Sequence, residues 1–394
     1  MNIAPAALAA AIILTGCASA TFGTASPPPP SLGSTGRHCT AGPVPYLAAG
    51  YLTGAQFVSR ADGWVVGQDK ILATTDGGRR WIVQDTGKVG LTSVDFISSK
   101  AGWAVGLRTV LATTDGGAHW TALPEPCLPI RSVHFVTPDV GFAVAGGGAV
   151  VDITAEAPEV AGVVLTTGNG GRSWRVLRSP ANAQTVCFSD ARNGWLGAGG
   201  RLYRTSDGGH SWVLVTAGVR PNSTRFPATM IVQCAGAGSA WALDIGFGAA
   251  SSQQPHVGYH AGPTGAVPIF AEQYFPHPGA SVRANSPGSY AGPFSAISPS
   301  AAAFIDWCPA CSANVATPWD LATGSGSGTT LTRAGNVGGL SQAGAASFLS
   351  AQVGWVAGVV DHMTATGIGR QYERIVFTSD GGRTWHMQYT SRIG

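Results

Sequence analysis

Four aspartates recur in nearly identical local sequences, and carboxylates are among the groups that most often act as general acids, bases or nucleophiles. Asp76, Asp115, Asp207 and Asp380 stand in TTDGGRRW, TTDGGAHW, TSDGGHSW and TSDGGRTW, and Asn169 takes the place of Asp in a fifth copy, TGNGGRSW. A centre that hydrolyses glycosides needs one pair of carboxylates in one cleft, not the same carboxylate in several repeated segments. We therefore interpret these aspartates as structural residues of a repeated turn.

The recurring segment, which we call the box, has the composition of a tight turn. Gly adopts a positive φ without steric cost, and a short Asp or Asn side chain accepts hydrogen bonds from nearby backbone N–H groups. We expect the Thr two positions before the Asp to support the same turn. The Trp five positions after the Asp begins a strand and is expected to be buried between neighbouring repeats. In the five copies this residue is Trp81, Trp120, Trp174, Trp212 and Trp385.

Outside the boxes, three aspartates could form a site together. Asp244, Asp306 and Asp361 lie at or just after the predicted second strands of three successive repeats. Two carboxylates at a suitable separation would allow glycoside hydrolysis. The alternative is that these side chains cap loops or face water. We expect neither a metal nor a cofactor.

Six of the seven cysteines follow Cys17, an even number that suits disulfide bonds in an oxidising compartment. Cys308 and Cys311 are separated by two residues and are predicted to form a disulfide. A redox-active pair, or a zinc site shared with His256 and His260, are the alternatives for these two cysteines.

A second disulfide is predicted between Cys187 and Cys234. These two residues sit one register apart in the predicted first strands of neighbouring repeats. The remaining two, Cys39 and Cys127, have no pairing that the sequence decides.

A second pattern precedes each box and gives the number of repeats. It reads FVSRADGWVVG at 57–67, and its small residue and aromatic recur as Gly63-Trp64, Gly102-Trp103, Gly141-Phe142, Gly194-Trp195, Ala240-Trp241, Ala303-Phe304 and Gly354-Trp355. Six positions earlier stand Phe57, Phe96, Phe135, Phe188, Cys234, Ile297 and Phe348. Each repeat reads as four short strands, with the box between the third and the fourth. Seven such repeats predict an all-β chain that forms a single seven-bladed β-propeller over residues 50–394.

Together the two motifs resemble the Asp-box, or bacterial neuraminidase repeat, family, and they are most similar to the photosystem II stability/assembly-factor-like proteins of bacteria. The resemblance covers about residues 50–390 and implies a seven-bladed propeller. It also implies a structural role for the boxes, because in sialidases the boxes lie away from the active site. The Phe/Tyr-Arg-Ile-Pro motif of sialidases has no counterpart, since the nearest string is Arg225-Phe226-Pro227. Blades 5 and 6 depart from the family pattern because no DGG box occurs between residues 213 and 341.

The N-terminal segment predicts export. Residues 4–16 form an apolar run that is too short to span a bilayer and has the length of a signal-peptide core. The sequence Leu14-Thr15-Gly16-Cys17 resembles the bacterial lipobox, which implies removal of residues 1–16 and a lipid on Cys17. Residues 17–49, rich in Pro, Gly and Ser, are predicted to form a tether. We expect a cell-envelope lipoprotein, with ordinary secretion after cleavage at Ala18-Ser19-Ala20 as the alternative.

Strand direction predicts which face of the propeller binds. In antiparallel blades, the boxes share one face, here called the box face, with the first-to-second turns. The second-to-third connections lie on the opposite face, here called the far face. From the small residue of the second strand to the box there are 13 residues in blades 1, 2 and 4, but 28 in blade 3 and 26 in blade 7. These extra residues predict longer loops on the far face, where long irregular stretches of blades 5 and 6 also fall. Arg108, Arg201 and Arg370 are predicted to lie on far-face loops.

Composition limits the class of partner. Only 11% of the residues are charged and the net charge is +3, too weak to indicate nucleic-acid binding. Binding residues usually lie on loops held by a rigid scaffold. We therefore predict a monomeric, non-catalytic binding or assembly module whose far face binds a protein or an envelope ligand. A carbohydrate-active hydrolase with its site on the same face is the alternative.

Overall fold

The computed structural model describes residues 51–84, 90–106, 109–124, 126, 128–146, 162–217, 229–246, 256–272, 281–282, 290–307, 317–364 and 367–393. The predicted signal peptide, Cys17 and the tether lie outside the described residues, as do Cys39, Arg108, Cys127, Cys308 and Cys311.

The described chain is all-β and forms the seven four-stranded blades that the repeats predict. Within each blade, the four strands are antiparallel neighbours in chain order. Its one helical element among the described residues is a 3-10 turn at Gly326–Gly328. Short strands joined by glycine-containing turns account for this architecture, because the chain is rich in Gly and in strand-forming Val, Thr and Trp.

Blades 1 to 4 occupy the first half of the propeller. Their strands are β1 (Leu52–Phe57), β2 (Gly63–Gly67), β3 (Ile71–Thr74), β4 (Ile82–Gln84), β5 (Leu91–Phe96), β6 (Gly102–Gly106), β7 (Thr109–Thr113), β8 (Thr121–Ala122), β9 (Ile130–Phe135), β10 (Gly141–Ala145), β11 (Val163–Thr167), β12 (Arg175–Leu177), β13 (Ala183–Phe188), β14 (Gly194–Ala198), β15 (Arg201–Thr205) and β16 (Val213–Ala217).

Blades 5 to 7 complete it, and blade 5 has an additional short parallel strand at its edge. Their strands are β17 (Thr229–Cys234), β18 (Ala240–Ile245), β19 (His256–Gly262), β20 (Gly265–Glu272), β21 (Ser281–Val282), β22 (Tyr290–Ser298), β23 (Ala301–Trp307), β24 (Thr317–Thr323), β25 (Thr330–Val337), β26 (Gln342–Phe348), β27 (Gly354–Thr364), β28 (Gly367–Thr378) and β29 (His386–Arg392).

Aromatic stacking between neighbouring blades forms much of the core. The Phe that ends a first strand stacks on the aromatic residue of the preceding blade's second strand, as Phe96 does on Trp64 with ring centroids 3.5 Å apart. The box Trp of the same blade meets that Phe edge-on, at 5.9 Å for Trp120. Of the box tryptophans only Trp174 is fully buried. The Gly opposite each Phe is required by this packing, because a Cβ on Gly102 would overlap the ring of Phe96.

The predicted register is wrong in blade 6. In six blades the two aligned residues lie opposite each other, for example Cys234 and Ala240, but in blade 6 Ala303 lies opposite Ser295 and not opposite Ile297. The residues equivalent to Phe57 and Gly63 are Ala296 and Ala302, one position earlier than predicted. A shift of one residue turns every side chain to the other face of a sheet. The aromatic that this leaves missing at the blade 6–7 interface is supplied by Trp319 of β24, which stacks on Phe348.

The predicted long loop of blade 7 is also wrong. The additional residues lengthen the two paired strands themselves, so that β27 has 11 residues and β28 has 12, against five for β6 and for β7. Pairing continues to Thr364 opposite Gly367. Blade 7 therefore extends a β-hairpin beyond the ends of the other blades on the far face.

Candidate functional site

The box turns are held by the same hydrogen bonds in each copy. In blade 2 the Thr113 hydroxyl donates to Asp115 Oδ1 at 2.8 Å and accepts the backbone N–H of Gly117 at 2.8 Å. The same Oδ1 accepts the backbone N–H of His119 at 2.9 Å. Gly116 and Gly117 have φ of 77° and 87°, values that side chains disfavour. Thr113 is buried, so it supports the turn from inside the blade, as predicted.

Each box turn is also bonded to the first-to-second turn of its own blade. The backbone N–H of the first box Gly donates to a carbonyl of that turn, for example from Gly116 to Lys100 at 2.8 Å. The other four bonds run from Gly77 to Ala61, Gly170 to Asp139, Gly208 to Arg192 and Gly381 to Gln352. The two kinds of turn therefore lie on one face of the propeller, as strand direction predicts.

The box carboxylates have lowered pKa values. Hydrogen bonds from His119, first from its backbone N–H and then from its ring, lower the pKa of Asp115 to about 2. Bonds from Thr384, first from its hydroxyl and then from its backbone N–H, lower the pKa of Asp380 to about 2. A carboxylate with such a pKa is a poor proton acceptor near neutral pH. A hydrogen-bonded carboxylate with a lowered pKa therefore fits a structural role in a turn better than a role as general acid or base.

A closed ring of links around the axis joins all seven blades. In each blade, the residue just before the Phe position of the first strand binds the first strand of the next blade, as Asp95 Oδ2 accepts the Phe135 N–H at 2.6 Å. The seven links run from Gln56 to Phe96, Asp95 to Phe135, His134 to Phe188, Cys187 to Cys234, Gln233 to Ala296, Ser295 to Phe348 and Ser347 to Phe57. Burial raises the pKa of Asp95, against the opposing effects of His134 and of the Phe135 N–H.

The fourth link is covalent, because Cys187 and Cys234 form the predicted disulfide, with Cα atoms 5.6 Å apart. It takes the place that a hydrogen bond has at the other six interfaces. The predictions for Cys308 and Cys311 lie outside the described residues. Of the two histidines in the zinc alternative, His260 is hydrogen-bonded through both ring nitrogens: Nδ1 accepts the Gly326 N–H at 3.0 Å, and Nε2 donates to the Pro299 carbonyl at 2.8 Å.

The three singled-out aspartates lie at three different places. Asp306 Oδ1 lies 3.4 Å from Nε2 of His256, and both side chains are buried. Asp244 is buried too, but it lies on the face of blade 5 that packs against blade 4, opposite to the face that carries His256. Asp361 lies in blade 7, where its Oδ1 accepts the Gln371 amide at 2.8 Å. The prediction of three converging carboxylates is therefore not met.

An ion pair across the blade 7–1 interface was not predicted. Lys70 Nζ lies 2.9 Å from Glu373 Oε2, and the Glu373 side chain is only 1% exposed. Burial raises the pKa of Glu373, although Lys70 opposes the rise. Burial lowers the pKa of Lys70, but Glu373 outweighs it, so that the net shift is upward. Because 303 residues separate the pair in sequence, only the closure of the ring brings them together.

The arginines predicted for the far face have different surroundings. Arg201 begins β15 and is half-buried, whereas Arg370 lies in β28 and is exposed. Arg108 lies outside the described residues. Within the described part of the chain, no three His, Cys, Asp or Glu residues are placed to hold a metal ion. The same residues include no helix of the length and apolarity needed to cross a membrane.

Comparison with known proteins identifies the relationship. Residues 49–178, which span blades 1 to 3, match the family model described as photosynthesis system II assembly factor YCF48. No curated protein gives a significant match. The first three blades are therefore similar in sequence to the photosystem II assembly factors, and the five boxes and seven blades agree with an Asp-box propeller.

Several solved structures are similar to this chain at low sequence identity. YCF48 from Cyanidioschyzon merolae is 15% identical over 88% of this chain and 86% of that chain, with a TM-score of 0.38. An ancestral GH74 enzyme is 11% identical, with a TM-score of 0.52, over 86% of this chain and 54% of the enzyme. The protein U3-55K is 10% identical over 78% of this chain and 88% of that chain, with a TM-score of 0.54.

Proposed function

We propose that this Asp-box propeller is an extracytoplasmic, non-catalytic binding or assembly module, and that its far face binds a protein or an envelope ligand. The observation that carries the proposal is a difference between the two faces: the box face has uniform turns, whereas the connections on the far face differ in length from blade to blade. The strand ends that flank the lengthened second-to-third connections of blades 3, 5 and 6 lie on the far face, and so does the lengthened hairpin of blade 7. The relationship to a family named for an assembly factor supports the same function.

The box face offers few free groups for a partner. Five boxes use their Thr hydroxyls, their Asp or Asn oxygens and their first Gly N–H groups within the turns. These turns are therefore designed around internal hydrogen bonds rather than recognition of a ligand. A partner on this face would contact mainly exposed side chains such as Arg79 and Arg383.

The far face varies from blade to blade. The second-to-third connection is short in blades 1, 2 and 4, but it spans 146–162 in blade 3, 246–255 in blade 5 and 308–316 in blade 6. In blade 7 the lengthened hairpin takes its place. Variable segments on a rigid scaffold are the usual location of binding residues.

Charge reversal on each face tests this proposal. We expect Arg201→Glu with Arg370→Glu to reduce the capture of partners from an envelope extract, because both side chains lie on the far face. The matched control is Arg79→Glu with Arg383→Glu on the box face, which should leave capture unchanged. Circular dichroism and thermal unfolding check that both variants are folded. Equal loss from both pairs, or loss from the box-face pair alone, would contradict the proposal.

A carbohydrate-active hydrolase is the second candidate. The buried Asp306–His256 pair brings an acidic group to the far-face end of the blade 5–6 interface, and Asp244 brings another to the same end of blade 5, on the side toward blade 4. Glycoside hydrolysis needs carboxylates that a sugar can reach, and the exposed fractions here are only 2% for Asp244 and 4% for Asp306. Burial therefore favours a structural role. Release of reducing sugar from envelope polysaccharides that is lost in Asp306→Asn would favour the hydrolase.

We further propose that a lipid on Cys17 anchors the propeller, as a monomer, to the cell envelope. The lipobox-like sequence before Cys17 supports the anchor, and the Pro-rich residues that follow would separate the propeller from the membrane. Cys17→Ala should move the protein from the membrane fraction to the soluble fraction. Unchanged partitioning would refute the lipid, and plain secretion would be recognised by its recovery in the medium.

A further inference from the structure

The lengthened hairpin of blade 7 presents one sheet face that the regular blades lack. We call its far-face end, residues 358–364 and 367–374, the blade-7 arm. Directly opposed residues of paired strands share a face, and so do residues two apart along a strand. Arg370 lies opposite His362, and Tyr372 lies opposite both Val360 and Arg392. His362, Arg370, Tyr372, Arg374 and Arg392 therefore lie on the same face of the sheet.

This face points toward blade 6 and is accessible. Val360 and Val376, which share it, pack into the cluster between blades 6 and 7. Arg374 donates to the carbonyl of Gly339, in the link that joins those blades, at 2.9 Å. Arg370, Arg392 and His362 are exposed, while Tyr372 is half-buried with the His362 ring against it at 5.1 Å.

The arginines on this face of the sheet have no acidic partner among the described residues. None of Arg370, Arg374 and Arg392 has a carboxylate of that part of the chain within 4.0 Å. The two nearby acids lie on the other face: Glu373 is paired with Lys70, and Asp361 is bonded to Gln371. Three guanidinium groups therefore surround a tyrosine, and guanidinium groups bind carboxylates well.

The arm is held firmly at its base. Glu373 binds Lys70 of blade 1, and the backbone N–H of Asp361 donates to the Ser341 hydroxyl at 2.9 Å. The Asp361–Gln371 bond joins its two strands. These contacts fix the spacing of the side chains on the opposite face, so a ligand would bind without ordering the arm.

The spacing of the arginines matches an extended peptide. Arg370 and Arg374 are four residues apart on one strand, which places their Cα atoms about 14 Å apart. An extended peptide with carboxylates four residues apart has the same separation, and its central side chain would lie over Tyr372. The exposed Arg392, across the sheet from Tyr372, adds positive charge at the centre.

We propose that the blade-7 arm is the binding site for an extended acidic segment of a protein partner, with carboxylates four residues apart and an apolar residue between them. This inference rests on the proposed function, because it places the acidic segment within the far face. Arg370 and Arg374 bind the two carboxylates, Tyr372 packs against the apolar side chain, and Arg392 contributes electrostatic attraction.

Fluorescence anisotropy with a defined peptide tests the site directly. The probe is fluorescein-labelled Ser-Glu-Ser-Leu-Ser-Glu-Ser, and the control peptide Ser-Ser-Glu-Glu-Ser-Leu-Ser has the same composition and charge. We expect Arg370→Glu with Arg392→Glu to weaken binding of the first peptide about tenfold, because two favourable charge interactions become repulsive. Arg79→Glu, which lies on the box face, should leave its affinity within about twofold.

The possible outcomes distinguish a failure of the proposed binding site from a failure of the proposed function. Equal binding of the two peptides, or binding that the arm variant does not change, would overturn the assignment of the arm. Direct binding of fluorescein-labelled polygalacturonate together with no binding of either peptide would show an acidic glycan site instead, and would also overturn it. In those cases, loss of partner capture by the far-face variant alone would leave the proposed function standing.

Discussion

Each box turn is held by hydrogen bonds to a buried threonine and to an aspartate or asparagine nearer the surface. Thr113 accepts the N–H of Gly117 inside the blade, while Asp115 accepts the N–H of His119 at its surface. Asn169 serves the same purpose in blade 3, since its Oδ1 accepts the Ser173 N–H at 2.9 Å. Hydrogen-bond acceptance is therefore the property that the turn requires of this side chain, and negative charge is secondary.

Thr113→Val should destabilise the propeller by about 1–3 kcal/mol, because valine keeps the shape but leaves the buried N–H of Gly117 without an acceptor. The neighbouring Thr114→Val is the matched control, since Thr114 is exposed and should change the free energy of unfolding little. Urea unfolding measures both. A loss no greater for Thr113→Val than for Thr114→Val would refute the assigned role.

Asp115→Asn should alter the pH dependence of stability with a defined sign. The pKa of Asp115 is lowered to about 2 in the folded protein, so its ionised form adds stability above the unfolded pKa of about 3.9. That contribution is lost as the pH falls through the folded pKa. The difference in free energy of unfolding between the wild type and Asp115→Asn should shrink as the pH falls from 5 toward 2. A difference that grows on acidification would contradict this account.

The first strands form the element that joins the blades. Each first strand binds the next through the residue just before its Phe position, and the position is polar or Cys in every blade: Gln56, Asp95, His134, Cys187, Gln233, Ser295 and Ser347. This pattern also explains the error in blade 6. The predicted register would have put Ala296 at the linking position, whereas the observed register puts Ser295 there.

Removal of the disulfide should weaken the blade 4–5 interface most. Cys187→Ala with Cys234→Ala is expected to lower the free energy of unfolding by about 3–4 kcal/mol, given a sequence separation of 47 residues between the two cysteines. Urea unfolding without reductant compares this variant with the wild type. Equal stability of the two would contradict a stabilising role.

Several features of these elements could be predicted from sequence and others could not. The box turns and the Gly-Trp pairs depend on local chemistry, so their spacing gave the blade count, and the position of Cys187 and Cys234 in that spacing gave the disulfide. Blade 6 has three alanines in a row, Ala301 to Ala303, which fit the small position equally well in more than one register. Additional residues in blade 7 could form a loop or paired strands, and only their pairing across the hairpin decides between the two.

At the scale of the whole molecule, the ring is closed by contacts between the first and the last blade. Among the described residues, blade 7 consists of C-terminal strands alone, and it closes the ring by packing against blade 1. Phe57 stacks on Trp355, Ser347 binds the Phe57 N–H, and Lys70 pairs with the buried Glu373. Such contacts between residues far apart in sequence, and the arm that they support, could not be inferred from local patterns.

Lys70→Met should cost about 2–3 kcal/mol, because it leaves the buried Glu373 carboxylate without its cation. Glu373 has a raised pKa in the fold, so its protonated form stabilises the fold below the unfolded pKa, and this stability is lost as the pH rises through the folded pKa. The deficit of Lys70→Met should therefore be larger at pH 7 than near pH 4. The double variant Lys70→Met with Glu373→Leu should recover most of the loss, and a double variant as unstable as the single one would contradict this explanation.

The central claim, that the far face binds the partner, is tested most directly by photo-crosslinking in intact cells. A photoreactive amino acid is placed at Arg370 or Arg201 on the far face, or at Arg79 or Arg383 on the box face, and adducts are detected after irradiation. The account predicts a partner adduct from the far-face positions and none from the box-face positions. The same adduct from the box-face positions, with none from the far face, would contradict it.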